Sequence, residues 1–181
     1  TMIKIRENSE QWHVIPNRIA MLGFSAGGHV TACLGTLWDS PELKAKVDTK
    51  GGLNRPDAII LCYAVLTGGK FVDSPVAYTM CGGKPTQEQI CFFSPEKQVS
   101  EKTPPTFLWH TFEDDYVPVD NTILFVSALQ KHNIPFECHI FQKGRHGMSV
   151  CTRESNTPNA HNAQRNPLCM EWLGNLFDFP D

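Results

Sequence analysis

Ile19-Ala20-Met21-Leu22-Gly23-Phe24-Ser25-Ala26-Gly27-Gly28-His29 is the stretch on which the reading of this chain turns. An apolar run leads into Gly-Phe-Ser-Ala-Gly, and a helix-like segment over residues 29–38 follows. A serine hydroxyl is a weak nucleophile until a tight turn pushes it out beside a base. A strand that turns sharply into a helix does this, and its backbones approach so closely that the residues two before and two after the serine must be tiny. Gly23 and Gly27 occupy those places, with Gly28 as further relief. The bland alternative is a Ser25 that merely caps the helix after it. By chance the three fixed letters occur in about 6% of chains this long, so the motif needs partners elsewhere.

A serine nucleophile requires an imidazole to take its proton and a carboxylate to orient that imidazole. On the strand–turn–helix scaffold their order along the chain is serine, then acid, then histidine. Thr106-Phe107-Leu108-Trp109-His110-Thr111 reads as a buried strand running into Phe112-Glu113-Asp114-Asp115-Tyr116-Val117-Pro118. Phe136-Glu137-Cys138-His139-Ile140-Phe141 reads as the next strand, followed by Gln142-Lys143-Gly144-Arg145-His146-Gly147. Between them, Ile123, Leu124, Val126 and Leu129 have helical spacing. Loops at the carboxyl ends of parallel strands converge on one edge of a sheet, where ligands bind. Ser25, an acid from the 113–115 cluster and His146 each follow a different predicted strand at that edge. Gly144 and Gly147 suit a tight return of the histidine loop.

Together these three separated motifs resemble the α/β-hydrolase esterases, in particular acetylxylan/feruloyl-esterase-like and hormone-sensitive-lipase-like carboxylesterases. The resemblance implies an α/β class chain with the α/β-hydrolase fold, a mostly parallel sheet flanked by helices. It makes Ser25 the nucleophile, His146 the base and Asp114, four residues beyond His110, the acid. It also places the backbone N–H of Ala26 in the oxyanion hole. The implied reaction is hydrolysis of small-acyl carboxylic esters, acetyl esters of carbohydrates among them, with no metal and no organic cofactor. Arg145 stands where relatives often carry a small residue. A prolyl-oligopeptidase-type peptidase shares the elbow, the acid offset and the His-Gly ending, and is the alternative enzyme. A hydrolase remnant serving as an interaction module is the non-catalytic reading.

The same resemblance carries strands before the elbow and a second oxyanion donor after the third of them. Only 24 residues precede Ser25. Residues 2–12 read as a helix and 14–17 as a connection. The expectation is a single domain over 1–181, N-terminally incomplete and corresponding to the C-terminal portion of the fold. Its elbow strand would be an unpaired apolar edge, to be covered by a completing N-terminal segment or by a second copy in a homo-oligomer.

Composition narrows the remaining classes. The 181 residues, 41% of them hydrophobic, are enough for a substantial core. A formal charge of −3 and a pI near 6.1 argue against nucleic-acid binding, and apolar runs of only strand length predict no membrane span. Seven cysteines form no C-x-x-C pair and lie at no zinc-ligand spacing from a histidine, which favours a reduced, cytoplasmic setting. Cys81, Cys91, Cys151 and Cys169 occupy loop or helix-edge contexts and are the candidates for a bridge. Residues 58–65 read as a doubly buried strand, and 66–94, with Phe71, Tyr78, Phe92 and Phe93, as a lid or pocket wall. Residues 149–166 read as loop and 169–179 as an amphipathic terminal helix. His29 is expected to pack or hydrogen-bond, and His110 to lie buried in support of the acid loop. His13, His132, His139 and His161 read as surface or sheet residues.

Overall fold

Two strands, Ala58–Cys62 and Thr106–Thr111, are buried along their whole length, and successive side chains go to opposite faces. That alternation builds two cores. Ile59, Leu61 and Leu108 join Ala32, Phe125 and Leu129 on one face, whereas Ile60, Cys62, Phe107 and Trp109 meet Leu168, Trp172 and Leu173 on the other. An unpartnered polar side chain at either phase would be stranded away from water; β2 is accordingly apolar throughout, and the buried polar residues of β3, Thr106, His110 and Thr111, are each hydrogen-bonded.

The computed structural model describes residues 1–68 and 82–179. In chain order these form α1 (Met2–Glu7), β1 (Ala20–Phe24), α2 (Ala26–Leu37), α3 (Pro41–Lys44), β2 (Ala58–Cys62), α4 (Gln87–Phe92), β3 (Thr106–Thr111), α5 (Asp120–Lys131), β4 (Phe136–Phe141), α6 (Ala160–Ala163) and α7 (Arg165–Phe177). The sheet order is β1-β2-β3-β4 and every neighbouring pair is parallel. Crossovers that all step in one direction and keep the right-handed rule put their helices on the same face. Helices α2 and α5 accordingly share one core, and α7 seals the opposite face. The expected α/β-hydrolase layering, a parallel sheet between helices, is present.

Several elements differ in extent from the sequence reading. Strand β2 stops at Cys62 because Tyr63 takes a positive φ of 38°, although Ala64 and Leu66 beyond it stay buried. Burial of the turn imitated a longer strand. Helix α1 ends at Glu7, well short of residue 12, and the Arg6 guanidinium anchors it to the Pro16 and Leu53 carbonyls and to Asp57. Residues 149–166 are not all loop. Asn159 caps α6 through its side chain, and α7 begins at Arg165, four residues earlier than expected. Of the expected 66–94 lid, residues 69–81, with Phe71, Tyr78 and Cys81, lie outside the described residues. The described part includes α4, closed by a reciprocal Thr86–Gln89 capping box. The six described cysteines, Cys33, Cys62, Cys91, Cys138, Cys151 and Cys169, are free thiols. Among the described residues, no helix is long and apolar enough to cross a membrane.

Strand β1 lies at one end of the described sheet, and Leu22 on it is 49% exposed. Beside it runs an apolar groove of about 570 Å³ lined by Met2, Ile5, Met21, Val30 and Leu34 among others.

Asn121, at the start of α5, ties two loops of the sheet's carboxyl edge together. Its Oδ1 accepts from the Leu66 and Thr67 N–H groups at 2.8 and 3.0 Å, and its Nδ2 donates to the Pro118 carbonyl at 2.9 Å. Asn121→Ala removes the shared side-chain acceptor of the Leu66 and Thr67 N–H groups and is expected to cost about 2–4 kcal/mol. Urea denaturation measures this; a loss below about 1 kcal/mol would show that these bonds are not structural.

Candidate active site

Ser25 stands between β1 and α2 with φ 51° and ψ −119°, a conformation that L-residues seldom adopt. The surrounding backbone imposes it. The Ser25 N–H donates to the Cys62 carbonyl at 2.9 Å, while the Ser25 carbonyl accepts from His29 N–H at 3.1 Å. A Cβ on Gly23 would overlap the Gly27 carbonyl oxygen, and one on Gly28 would overlap the Ala64 Cβ. At Gly27 itself a Cβ would meet nothing within 4 Å. The close approach thus demands glycine at positions 23 and 28, and at 27 it uses only the carbonyl. The expectation that Gly27 is small for steric reasons is corrected accordingly.

Ser25 makes no side-chain bond to its own helix. Its Oγ lies 2.8 Å from His146 Nε2, a residue 121 positions away. His146 Nδ1 lies 2.7 Å from Asp114 Oδ2. A carboxylate only accepts, so the network assigns the proton to Nδ1, leaving Nε2 to accept from the serine hydroxyl. Ser25, His146 and Asp114, singled out in the sequence, are therefore joined in one hydrogen-bonded chain with His146 at its centre. Ala26 follows as the first residue of α2, where N–H groups have no partner inside the helix.

The histidine loop is fixed by its glycine. Gly144 has φ 143°, and a Cβ there would crowd Met148, Asn162 and Thr111. Thr111 Oγ1 donates to its carbonyl at 2.7 Å, and Glu113 accepts from its N–H at 3.3 Å. Glu113 is thereby engaged elsewhere, and Asp115 is exposed. Of the three clustered acids, only Asp114 meets the imidazole.

Asp114 is 5% exposed, and burial alone would push its carboxyl pKa up. Hydrogen bonds from His110, the Val117 N–H and His146 outweigh that and hold it at about 2. Oδ1 accepts from Tyr116 and Val117 N–H at 3.0 and 2.8 Å. His110 is wholly buried, as expected; its Nδ1 lies 2.8 Å from the Thr122 hydroxyl, and its Nε2 faces the Val117 carbonyl and Asp114 Oδ2. His29 is buried with Nδ1 2.8 Å from the Val65 carbonyl, and burial lowers its pKa. Its Nε2 lies 3.2 Å from the Cys33 sulfur, so both ring nitrogens are engaged by groups outside the Ser25–His146 pair.

Two residues of the site escaped the sequence reading. Tyr63 and Tyr116 both pack on the His146 ring, at centroid separations of 5.0 and 5.3 Å. The buried Tyr63 hydroxyl accepts from the Ser149 N–H and so holds the segment just beyond the histidine. A usable signal existed: Tyr63 follows β2 directly and Tyr116 follows Asp114 by two, both at the carboxyl edge of the sheet. Among the described residues, no group of three or more His, Cys, Asp or Glu is placed to hold a metal ion. Chemically, the site can withdraw a proton from a hydroxyl and support the resulting imidazolium with an ionised carboxylate.

The BD-FAE family model matches residues 2–129. Over 155 residues the chain is 39% identical to endo-1,4-beta-xylanase B of Butyrivibrio fibrisolvens, covering 83% of this chain and 24% of that protein. It is 28% identical over 153 residues to an acetylxylan esterase of Xylanibacter ruminicola, covering 82% of this chain and 29% of the relative. Among solved structures, an acetyl ester-xyloside bifunctional hydrolase from Caldicellulosiruptor lactoaceticus superposes with a TM-score of 0.83 at 39% identity, covering 99% of this chain and 64% of that one. The chain thus spans less than a third of the two curated relatives and under two thirds of the solved hydrolase.

Two measurements test this architecture. Gly23→Ala is expected to destabilise by about 3 kcal/mol or more, since a backbone carbonyl cannot step aside, while Gly27→Ala stays within about 1 kcal/mol of the parent; equal losses in urea denaturation would refute the assignment of the close contact. The lowered Asp114 pKa also sets an acid dependence. Its stabilising contribution is full above the unfolded carboxylate range and is lost as pH falls toward about 2. Asp114→Asn should therefore flatten the loss of unfolding free energy between pH 5 and pH 2 by about 2 kcal/mol. Superimposable pH profiles for parent and variant would contradict it.

Proposed function

The chain belongs to the BD-FAE family and carries an α/β-hydrolase fold, and from that premise we propose that it acts as a serine esterase on small-acyl carboxylic esters, with acetyl groups on xylan-type carbohydrates as the substrate class. The observation that carries the reading is the Ser25 hydroxyl, which leaves its own helix uncapped and meets His146 at 2.8 Å. Ser25 Oγ attacks the ester carbonyl as its proton passes to His146 Nε2. The Ala26 N–H stabilises the tetrahedral oxyanion, and His146 returns the proton to the departing alcohol. Water, deprotonated by His146, then attacks the acyl-serine, and the collapse releases the carboxylic acid and restores Ser25. Asp114 stays ionised throughout and keeps Nδ1 of the imidazole protonated.

The carbohydrate part of the proposal draws on the relatives, named as an acetylxylan esterase and an acetyl ester-xyloside hydrolase. Those names do not favour the peptidase alternative. A second oxyanion donor belongs to the proposal too. The open β1 edge and its apolar groove suit a polypeptide strand, from a completing segment or a second copy, that would bring such a donor to Ser25.

A fluorophosphonate probe should label the chain on Ser25, and Ser25→Ala should remove both the labelling and hydrolysis of nitrophenyl acetate. Asp114→Asn is expected to lower turnover about 10,000-fold, as mispositioning and the wrong imidazole tautomer do in serine hydrolases. Hydrolysis undiminished in Ser25→Ala would overturn the proposal.

A further inference from the structure

Two aromatic rings touch the same imidazole, but only one is explained by packing. Tyr63 is buried and its hydroxyl is engaged by the Ser149 N–H. Tyr116 is 67% exposed, although its ring lies 5.3 Å from that of His146 at an interplanar angle of 42°. Its backbone N–H donates to Asp114 Oδ1 at 3.0 Å, so the carboxylate that orients the imidazole also fixes Tyr116. Phe112, on the same loop, is 68% exposed. The acid loop therefore presents aromatic surface to water beside the reacting groups.

The proton transfers decide which part of an ester would meet that surface. To be protonated, the departing oxygen must come within about 3 Å of His146 Nε2. The carbonyl oxygen turns instead toward the Ala26 N–H at the elbow. The alcohol portion of the ester therefore leaves past the imidazole, the ring that Tyr116 contacts from an exposed position. A flat ring with a negative π face accepts the C–H face of a pyranose, whose hydroxyls stay in water around its rim. A short alkyl alcohol offers no such face.

We propose that Tyr116 is the stacking platform for the sugar ring that forms the alcohol portion of the ester, and so determines preference for carbohydrate esters. The proposal rests on the esterase reading above, and its test is built so that the two fail separately. Titration of the Ser25→Ala chain with an acetylated xylo-oligosaccharide, followed by NMR, requires no turnover. Adding Tyr116→Ala should weaken binding about tenfold, the scale of one aromatic contact, and Tyr116→Trp should restore it. Unchanged affinity in Tyr116→Ala, or no saturable binding to the Ser25→Ala chain at all, overturns the platform whatever the fate of the esterase reading. In the chain with Ser25 intact, the ratio of kcat/KM for the oligosaccharide to that for ethyl acetate should fall about tenfold in Tyr116→Ala, through KM. Equal losses on both substrates would show that Tyr116 only shields the imidazole, and would also overturn it.

Discussion

The contact between Gly23 and the Gly27 carbonyl is the constraint from which the rest of the structure follows. No side chain fits between β1 and the first turn of α2, so the chain can reverse there only through a strained residue. Ser25 is that residue, at φ 51° and ψ −119°. Conformations of this kind cost about 1–3 kcal/mol and persist only where neighbours over-determine them. Here the bonds to Cys62 and His29, and the packing of Gly28 on Ala64, supply that support. The outcome is a hydroxyl turned off its own helix and toward the sheet's carboxyl edge. In an ordinary helix start the same serine would have capped the first turn.

A second constraint acts on the acid. Burying a carboxylate is unfavourable unless donors surround it, and Asp114 is surrounded by two backbone N–H groups, His146 and His110. Strand β3 organises most of this set. It delivers His110 at its buried end and launches the loop that returns Asp114 over that ring, while Thr122 of α5 braces the far side of His110. The carboxylate is thus held by β3 and its own loop as well as by the imidazole on the loop after β4. This makes an ionised, immobile acid a property of the scaffold, and it fixes the position of the neighbouring Tyr116.

Much of this was legible in the chain. Doubly buried strands announce themselves as apolar runs, helices by their spacing, and the chain order of serine, acid and histidine narrows the chemistry. The misread parts share one cause, which is that local composition does not record long-range burial. Residues 149–166 look like loop because they are polar. Yet Arg165 is 2% exposed, stacked over Trp109 and bonded to the Asn162 and Ser149 carbonyls and the Cys151 sulfur, and Asn162 is wholly buried. Their polar groups satisfy backbone and sulfur atoms that only the folded chain brings near. Residues 58–65 failed in the opposite sense: the turn after Cys62 is apolar because it is buried, not because it is extended.

The sequence by itself determined most of the strands and helices, their order, and the serine, the histidine and the cluster of three acids from which a hydroxyl–imidazole–carboxylate set could form. These are encoded within windows of a few residues, where periodicity and glycine placement act directly. The tertiary structure alone decided that Ser25 turns to His146 and not to its helix, that Asp114 and not Glu113 or Asp115 meets the ring, and that Gly27 needs no steric relief. It also decided that two tyrosines clasp the imidazole. Each of these is a contact between residues distant along the chain, set by parallel strand register and by the pitch of a loop, so ångström-scale placement of whole strands fixes it and no short stretch of residues can.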